Sequence, residues 1–189
     1  NSVNHIKFIK MVKNKKTIEE KYQKKTLHEH ILARPDSYVG STKLTEEEMW
    51  IYPLDSNKDD KKDARIINKK IKYVPGLYKI FDEILVNARD HTVRSKTCNM
   101  IKVSIDMESG KISIWNNGDG VEVVIHKEHN IYVPELLFCE LLTSGNFDDE
   151  EEKVTGGKNG YGAKLANIYS TEFEIETLDA ENGKLFYQK

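Results

Sequence analysis

The run TGGKNGYGAK, from Thr155 to Lys164, constrains this chain more than any other stretch. Gly156, Gly157, Gly160 and Gly162 let the backbone take left-handed turns and leave its amides bare to a close ligand. A helix is expected to follow, over roughly 161–169, and its first N–H groups lack intrahelical acceptors. A glycine loop feeding a helix start reads as a phosphate cradle, with Lys164 as its cation. The string G-x-x-x-x-G-K-[ST] occurs nowhere in the chain. A dinucleotide fingerprint is also absent, because the glycines come in another order and acidic residues rather than an apolar strand precede them. A plain surface loop would look the same in isolation, so the meaning of the run depends on what lies upstream.

With 189 residues the chain has room for one sizeable domain with extensions. Its net charge of -2 argues neither for nor against nucleic acid, so any DNA-binding surface must be a local patch. Cys98 and Cys139 have no His/Cys neighbours at zinc spacing and suit a reducing compartment. No apolar run reaches membrane-spanning length and no secretory leader is visible, so the expectation is a soluble intracellular protein without a membrane partner.

Residues 1–25 are lysine-rich and read as a basic N-terminal arm, with Met11 a candidate natural start; residues 26–189 read as the domain. A helix is expected from Thr26 to Leu32, stopping at Pro35, which disfavours helix for the residue before it. The Lys/Asp mixture between Leu54 and Lys70 reads as an exposed insertion loop. After Val74-Pro75-Gly76, the residues Leu77, Ile80, Phe81, Ile84, Leu85 and Ala88 mark the core stripe of a long helix. Ile101-Val103-Ile105 and Ile112-Ile114 alternate about a Ser109-Gly110 turn and predict a hairpin. Pro134 predicts a helix start running to about Thr143. Residues 173–177 and 185–187 predict two more strands around Asn182-Gly183. The expected architecture is α+β, a two-layer sandwich with helices on one face of a mixed sheet. The chain stops as a strand finishes and reads as part of something longer.

On the long helix, Glu83, Asn87, Asp90 and Arg94 stand at i, i+4, i+7 and i+11 and share a face opposite the apolar stripe. Such a face is often merely solvated. Asn87, however, is a mediocre helix former, and Ala88 beside it keeps the backbone accessible. A Glu can take a proton from water while an Asn one turn away ligates Mg²⁺ without adding negative charge. Asn116 ends an apolar strand before Gly118-Asp119-Gly120 and can read the amine and ring nitrogen of adenine, although an ordinary Asn-Gly turn has the same sequence. Ser144, Gly145 and Asn146 follow a helix and offer small polar groups to a ribose or phosphate.

The order ExxxNAxD (Glu83–Asp90), NNGDG (Asn116–Gly120) and GGKNGYGAK (Gly156–Lys164) resembles the three motif boxes of the GHKL ATPase superfamily. That group includes type IIA topoisomerases, chaperones, mismatch-repair proteins and histidine kinases. The longer strings YQKKT, EHILARPDSYVGS, VPGLYKIFDEILVNA, ISIWNNG and VTGGKNGYGAKLANI are similar to the N-terminal ATPase domain of eukaryotic-type type II DNA topoisomerases. The resemblance runs from about Thr17 onwards. It implies the GHKL (Bergerat) fold, with ATP and Mg²⁺ as ligands.

By that resemblance Glu83 is the general base and Asn87 the Mg²⁺ ligand. Asn116 contacts adenine, and Ser144, Gly145 and Asn146 meet ribose and phosphates. Gly157, Lys158, Asn159, Gly160, Tyr161, Gly162, Ala163 and Lys164 wrap the triphosphate, with Asp90 and Arg94 nearby. Tyr22 matches an arm tyrosine that reaches the other subunit's site. Gly145 replaces a second serine of many relatives, and Lys158 replaces an arginine, keeping charge but losing bidentate geometry. The resemblance implies a homodimeric gate in which ATP binding traps double-stranded DNA and hydrolysis resets the clamp. The transducer and cleavage domains of such an enzyme are not in this sequence. The alternative is another GHKL clamp, of chaperone or mismatch-repair type. Large DNA viruses also carry such enzymes, so the implied location is the nucleus, or for a viral protein the host nucleus, a cytoplasmic replication site or the virion.

Overall fold

The computed structural model describes residues 17–52, 66–141, 143 and 160–189. A short helix α1 (Ile18–Lys21) precedes α2 (Leu27–Ala33), and a single 3₁₀ turn spans Pro35–Ser37. α2 begins at a reciprocal cap. The Thr26 hydroxyl accepts from Glu29 N, and the Glu29 carboxylate accepts from Thr26 N at 2.8 Å. These bonds hold the Glu29 carboxyl below its ordinary range, the backbone bond first.

Strands β1 (Thr45–Ile51) and β2 (Ile67–Tyr73) form an antiparallel pair. Part of the region expected as a loop is therefore strand: residues 67–70 belong to β2, while 53–65 lie outside the described residues. The ladder sets Glu46 opposite Lys72 and Glu48 opposite Lys70, so opposite charges face each other across the strands.

The long helix α3 (Pro75–Arg94) starts with Pro75 at its first position, where no N–H is needed, and Gly76 N donates to Ser41 O at 2.8 Å. β3 (Ile101–Asp106) and β4 (Lys111–Asn116) form the predicted hairpin, with Ile105 opposite Ile112 and Val103 opposite Ile114. α4 (Val133–Cys139) ends earlier than expected, because the Thr143 hydroxyl turns back to donate to Leu136 O and Glu140 O, at 2.6 and 2.8 Å. α5 (Gly162–Ile168) leads to the hairpin β5 (Ile175–Asp179) and β6 (Lys184–Gln188), with Gly183 at φ +60° in the turn.

Among the described residues all three ladders are separate antiparallel pairs, not one mixed sheet, because each strand bonds only to its hairpin partner. The α+β class holds. Ile31, Val39 and Leu165 form a buried cluster, covered by Leu27, Tyr38, Ile80, Tyr161, Ile168 and Tyr169. The Tyr169 hydroxyl donates to Ile31 O at 2.6 Å and locks α2 to the end of α5. The core thus pins α5, with the end of the glycine loop attached, against α3. No described helix is long and apolar enough to cross a membrane.

Candidate active site

Two helices meet at a carboxylate. The Glu83 side chain on α3 is 21% exposed and ion-paired with Lys79 one turn back. Gly162, the first residue of α5, lies so close that an added Cβ would collide with the Glu83 carboxylate. The glycine is what lets α5 descend onto α3 at this point. The hydrogen bond to Glu83 raises the Lys79 ammonium above its ordinary pKa. Lys79 is a site neighbour that the motif reading passed over, although its i, i+4 spacing to Glu83 is visible in sequence.

Farther along α3, Asn87 is half-buried beside the buried Ala88. Asp90 is only 3% exposed and already engaged, whereas Arg94 is exposed in the last turn. The polar face is thus uneven: it is enclosed from Glu83 to Asp90 and open at Arg94.

Lys164 is the third residue of α5 and is 4% exposed. Its Nζ donates to the Thr143 carbonyl at 2.6 Å, tying α5 to the segment after α4. Burial pushes its pKa down to about 8, so the ammonium is costly where it stands. Gly160 takes φ +64°, which suits a glycine, and the Tyr161 ring packs toward Tyr38 at 6.4 Å. Tyr161 and the buried Ala163 therefore hold the cradle end to the protein. Ser144, Gly145, Asn146, Gly157, Lys158 and Asn159 lie outside the described residues.

At the other end, Asn116 closes β4 and is half-buried, its Oδ1 accepting from the Cys98 thiol at 3.7 Å. The neighbouring Asn117 is occupied with the backbone. Its Oδ1 accepts from Asn99 N and Met100 N at 3.0 and 2.7 Å, and its Nδ2 donates to Asn99 Oδ1. Of the two asparagines, Asn116 is thus the one available to a base. Gly118 (φ +144°) lies over His91 and Cys98, where an added Cβ would sit 2.6 Å from His91 Nε2. Gly120 (φ +78°) backs onto the Leu178 carbonyl, leaving no room for a Cβ. Tyr22 is 69% exposed, with Lys21 Nζ 5.2 Å from its ring centroid. A cavity of about 450 Å³ lined by Cys139, Asn167, Phe173 and Gln188 contains none of these residues.

A hairpin ending in Asn116, a long helix with a polar face and a glycine-started helix set against the Glu83 carboxylate are the parts from which the class can be judged. Residues 73–186 match the model of the "Histidine kinase-, DNA gyrase B-, and HSP90-like ATPase" family, and the chain belongs to that family. Within it, the chain is homologous to the ATPase region of eukaryotic and viral type II DNA topoisomerases. It is 63% identical over 177 residues to DNA topoisomerase 2 of Acanthamoeba polyphaga mimivirus, covering 94% of this chain and 14% of that protein. Against human DNA topoisomerase 2-alpha it is 52% identical over 186 residues, covering 98% of this chain and 12% of the relative. The solved ATPase and transducer domains of DNA topoisomerase II from Balamuthia mandrillaris superpose with TM-score 0.84 at 53% identity, over 92% of this chain and 42% of that one. The ATPase region of Saccharomyces cerevisiae topoisomerase II gives TM-score 0.81 at 50% identity, over 90% and 43%. The chain spans about one-seventh or less of the curated relatives it matches.

Proposed function

We propose that this chain is the ATP-binding and hydrolysing gate of a type II DNA topoisomerase. The observation that carries the reading is the meeting of the Glu83 carboxylate with the side-chain-free Gly162, with Lys164 half a turn further along the same short helix. The missing Cβ lets the start of α5, the end of the phosphate cradle, come up against the carboxylate that faces the terminal phosphate and its attacking water in this reading. Glu83 takes the proton of that water as it attacks the γ-phosphorus, and ADP leaves with the electrons of the broken P–O bond. Lys79 pairs with the carboxylate and gives it up when the water arrives. Lys164 exchanges its carbonyl partner for phosphate oxygens, a stronger charge-assisted contact for a buried ammonium. Asn116 reads adenine by accepting from its amine and donating to its ring nitrogen.

The residues fit Mg²⁺. Mg²⁺ takes hard oxygen ligands, and a cation held mainly by the triphosphate needs only one neutral protein ligand. The half-buried Asn87 amide, one turn from Glu83, is that ligand. Bound Mg²⁺ would neutralise charge on the phosphates. Ser144, Gly145, Asn146 and the loop from Gly157 to Asn159 complete the ribose and phosphate contacts in this reading, with Asp90 and Arg94 in support. In the whole enzyme Tyr22 reaches the site of a second subunit, and ATP-driven dimerisation captures a DNA duplex. The residues before Thr26 then act as an arm and 26–189 as the ATPase domain, working in the nucleus or, for a viral enzyme, at a replication site or in the virion.

The test is calorimetry of ATP binding with Mg²⁺. Asn87→Ala should abolish the signal while circular dichroism stays native. Undiminished affinity in that variant would remove Asn87 as the metal ligand.

A further inference from the structure

The turn carrying Gly118 and Gly120 is strapped down from both sides by bonds that converge on one residue. The Asp119 carboxylate accepts from Ser95 Oγ at 2.8 Å and from Thr97 Oγ1 at 2.9 Å, and those two hydroxyls are 2.7 Å apart. Ser95 is the C-cap of α3, and its own N–H donates to His91 O at 2.8 Å. The Asp119 carbonyl accepts from Ala180 N at 3.2 Å, just past the end of β5. The next residues hold the same course: Val121 N donates to Thr177 Oγ1 at 2.9 Å and Val123 N to Asp179 Oδ2 at 2.7 Å. The hydroxyl bonds keep the Asp119 carboxyl below its ordinary range, so it is a full anion, the stronger acceptor, at neutral pH.

We propose that Asp119 is a positioning residue for base recognition: by clamping the glycine turn to the end of α3 it fixes where Asn116 presents its amide. The proposal rests on the reading of Asn116 as the adenine contact. Asn116 is two residues before the first glycine of the turn, and Gly118 and Gly120 have no side chain to hold the backbone in place. Gly118 is seated on His91 and Cys98, and the thiol of that same Cys98 donates to Asn116 Oδ1. Without the clamp, Gly118 is free to lift from Cys98, and the Asn116 amide loses its fixed orientation. Adenine offers an amine donor and a ring-nitrogen acceptor along one edge, whereas guanine offers a carbonyl and an N–H in their place. A fixed amide separates the two bases, and a swivelling amide serves either.

The experiment is displacement of a fluorescent ATP analogue from the intact protein by ATP, GTP and inorganic tripolyphosphate. Asp119→Ala should lower the preference for ATP over GTP about tenfold, the worth of a charge-assisted hydrogen bond, and leave tripolyphosphate affinity as in the parent. Thr97→Val should move the preference the same way by less, and the double variant should be no worse than Asp119→Ala alone. Asp119→Asn, which keeps an acceptor oxygen, should restore part of the preference. A parental preference in Asp119→Ala overturns the proposal. If Asp119→Ala does not fold, Thr97→Val on the exposed turn carries the test, and a parental preference there is equally fatal. Asn116→Ala separates the two levels. Where it lowers the preference and the Asp119 and Thr97 variants do not, only the positioning role falls. Where it too leaves the preference intact, the adenine reading falls as well.

Discussion

At the end of the site proposed to read the base, the turn from Asn117 to Gly120 rests on partners the protein itself supplies: Asn99 and Met100 for Asn117, Ser95, Thr97 and Ala180 for Asp119. At the end proposed to hold the phosphates, the two charged groups lean on partners that a bound triphosphate would replace. Glu83 is paired with Lys79, and Lys164 is folded onto a backbone carbonyl with its pKa pushed down to about 8. The contrast separates recognition from chemistry. A base is read by a fixed edge, so order made in advance sharpens selection. A triphosphate brings its own charge, and cations that wait in poor company have more to gain from it.

Three substitutions at the phosphate end would break or sharpen that contrast. The largest effect is expected for Glu83→Gln in the intact enzyme, which keeps size and polarity but cannot take a proton. Steady-state turnover should fall on the order of 10²–10⁴-fold while ATP binding persists. A parental rate would exclude Glu83 as the base and leave the Lys79 pair a simple surface interaction.

Next is Lys164→Met, read by urea denaturation across pH. The folded pKa of about 8 lies below the ordinary 10.5, so between those values the unfolded chain binds more protons and parental stability rises with pH. That contribution is lost as pH falls through about 8. Methionine removes the slope, so the variant should be more stable than the parent at pH 7 by about 1–3 kcal/mol. Its advantage should fade toward pH 10.5, and its nucleotide affinity should be poor throughout. A variant less stable than the parent at pH 7 would make Lys164 a structural tie, and the phosphate end would resemble the base end.

The smallest effect is expected for Gly162→Ala. Alanine is favoured over glycine in a helix by roughly 0.5–1 kcal/mol, yet here its Cβ meets the Glu83 carboxylate. Overpacking should outweigh propensity and leave a net loss of about 1 kcal/mol, with weaker ATP binding. A stabilised variant that still binds ATP would show that α5 and α3 have slack at the carboxylate.

The long helix was legible because Ile80, Phe81, Ile84 and Ala88 repeat at helical spacing, and α3 does run from Pro75 to Arg94. The hairpin β3–β4 was legible from strict alternation on both sides of one turn. β1 was not. Its sequence, TEEEMWI, alternates poorly, and its partner lies beyond a charged stretch, so the Glu–Lys pairing that favours the ladder is visible only once the strands are side by side. At the site, Glu83 and Gly162 were nameable as types, but their collision course was not, since it depends on how two helices approach. Asp119 carried no signal at all. It is an ordinary turn residue in the sequence, and its role arises from a helix end twenty-odd residues earlier that the chain brings back alongside it.

The reciprocal Thr26–Glu29 cap has a mechanical consequence for the segment ahead of it. With both backbone donors of the cap engaged, the start of α2 is held against fraying, and Thr26 is a firm point from which the preceding segment departs. Tyr22 precedes Thr26 by four residues, which fully extended span at most about 14 Å. Its main chain therefore lies within a sphere of that radius about Thr26. If Tyr22 serves a second subunit, as proposed, that subunit's site has to come within this radius plus the length of a tyrosine side chain, which makes the tether a gauge of how closely two such gates must approach.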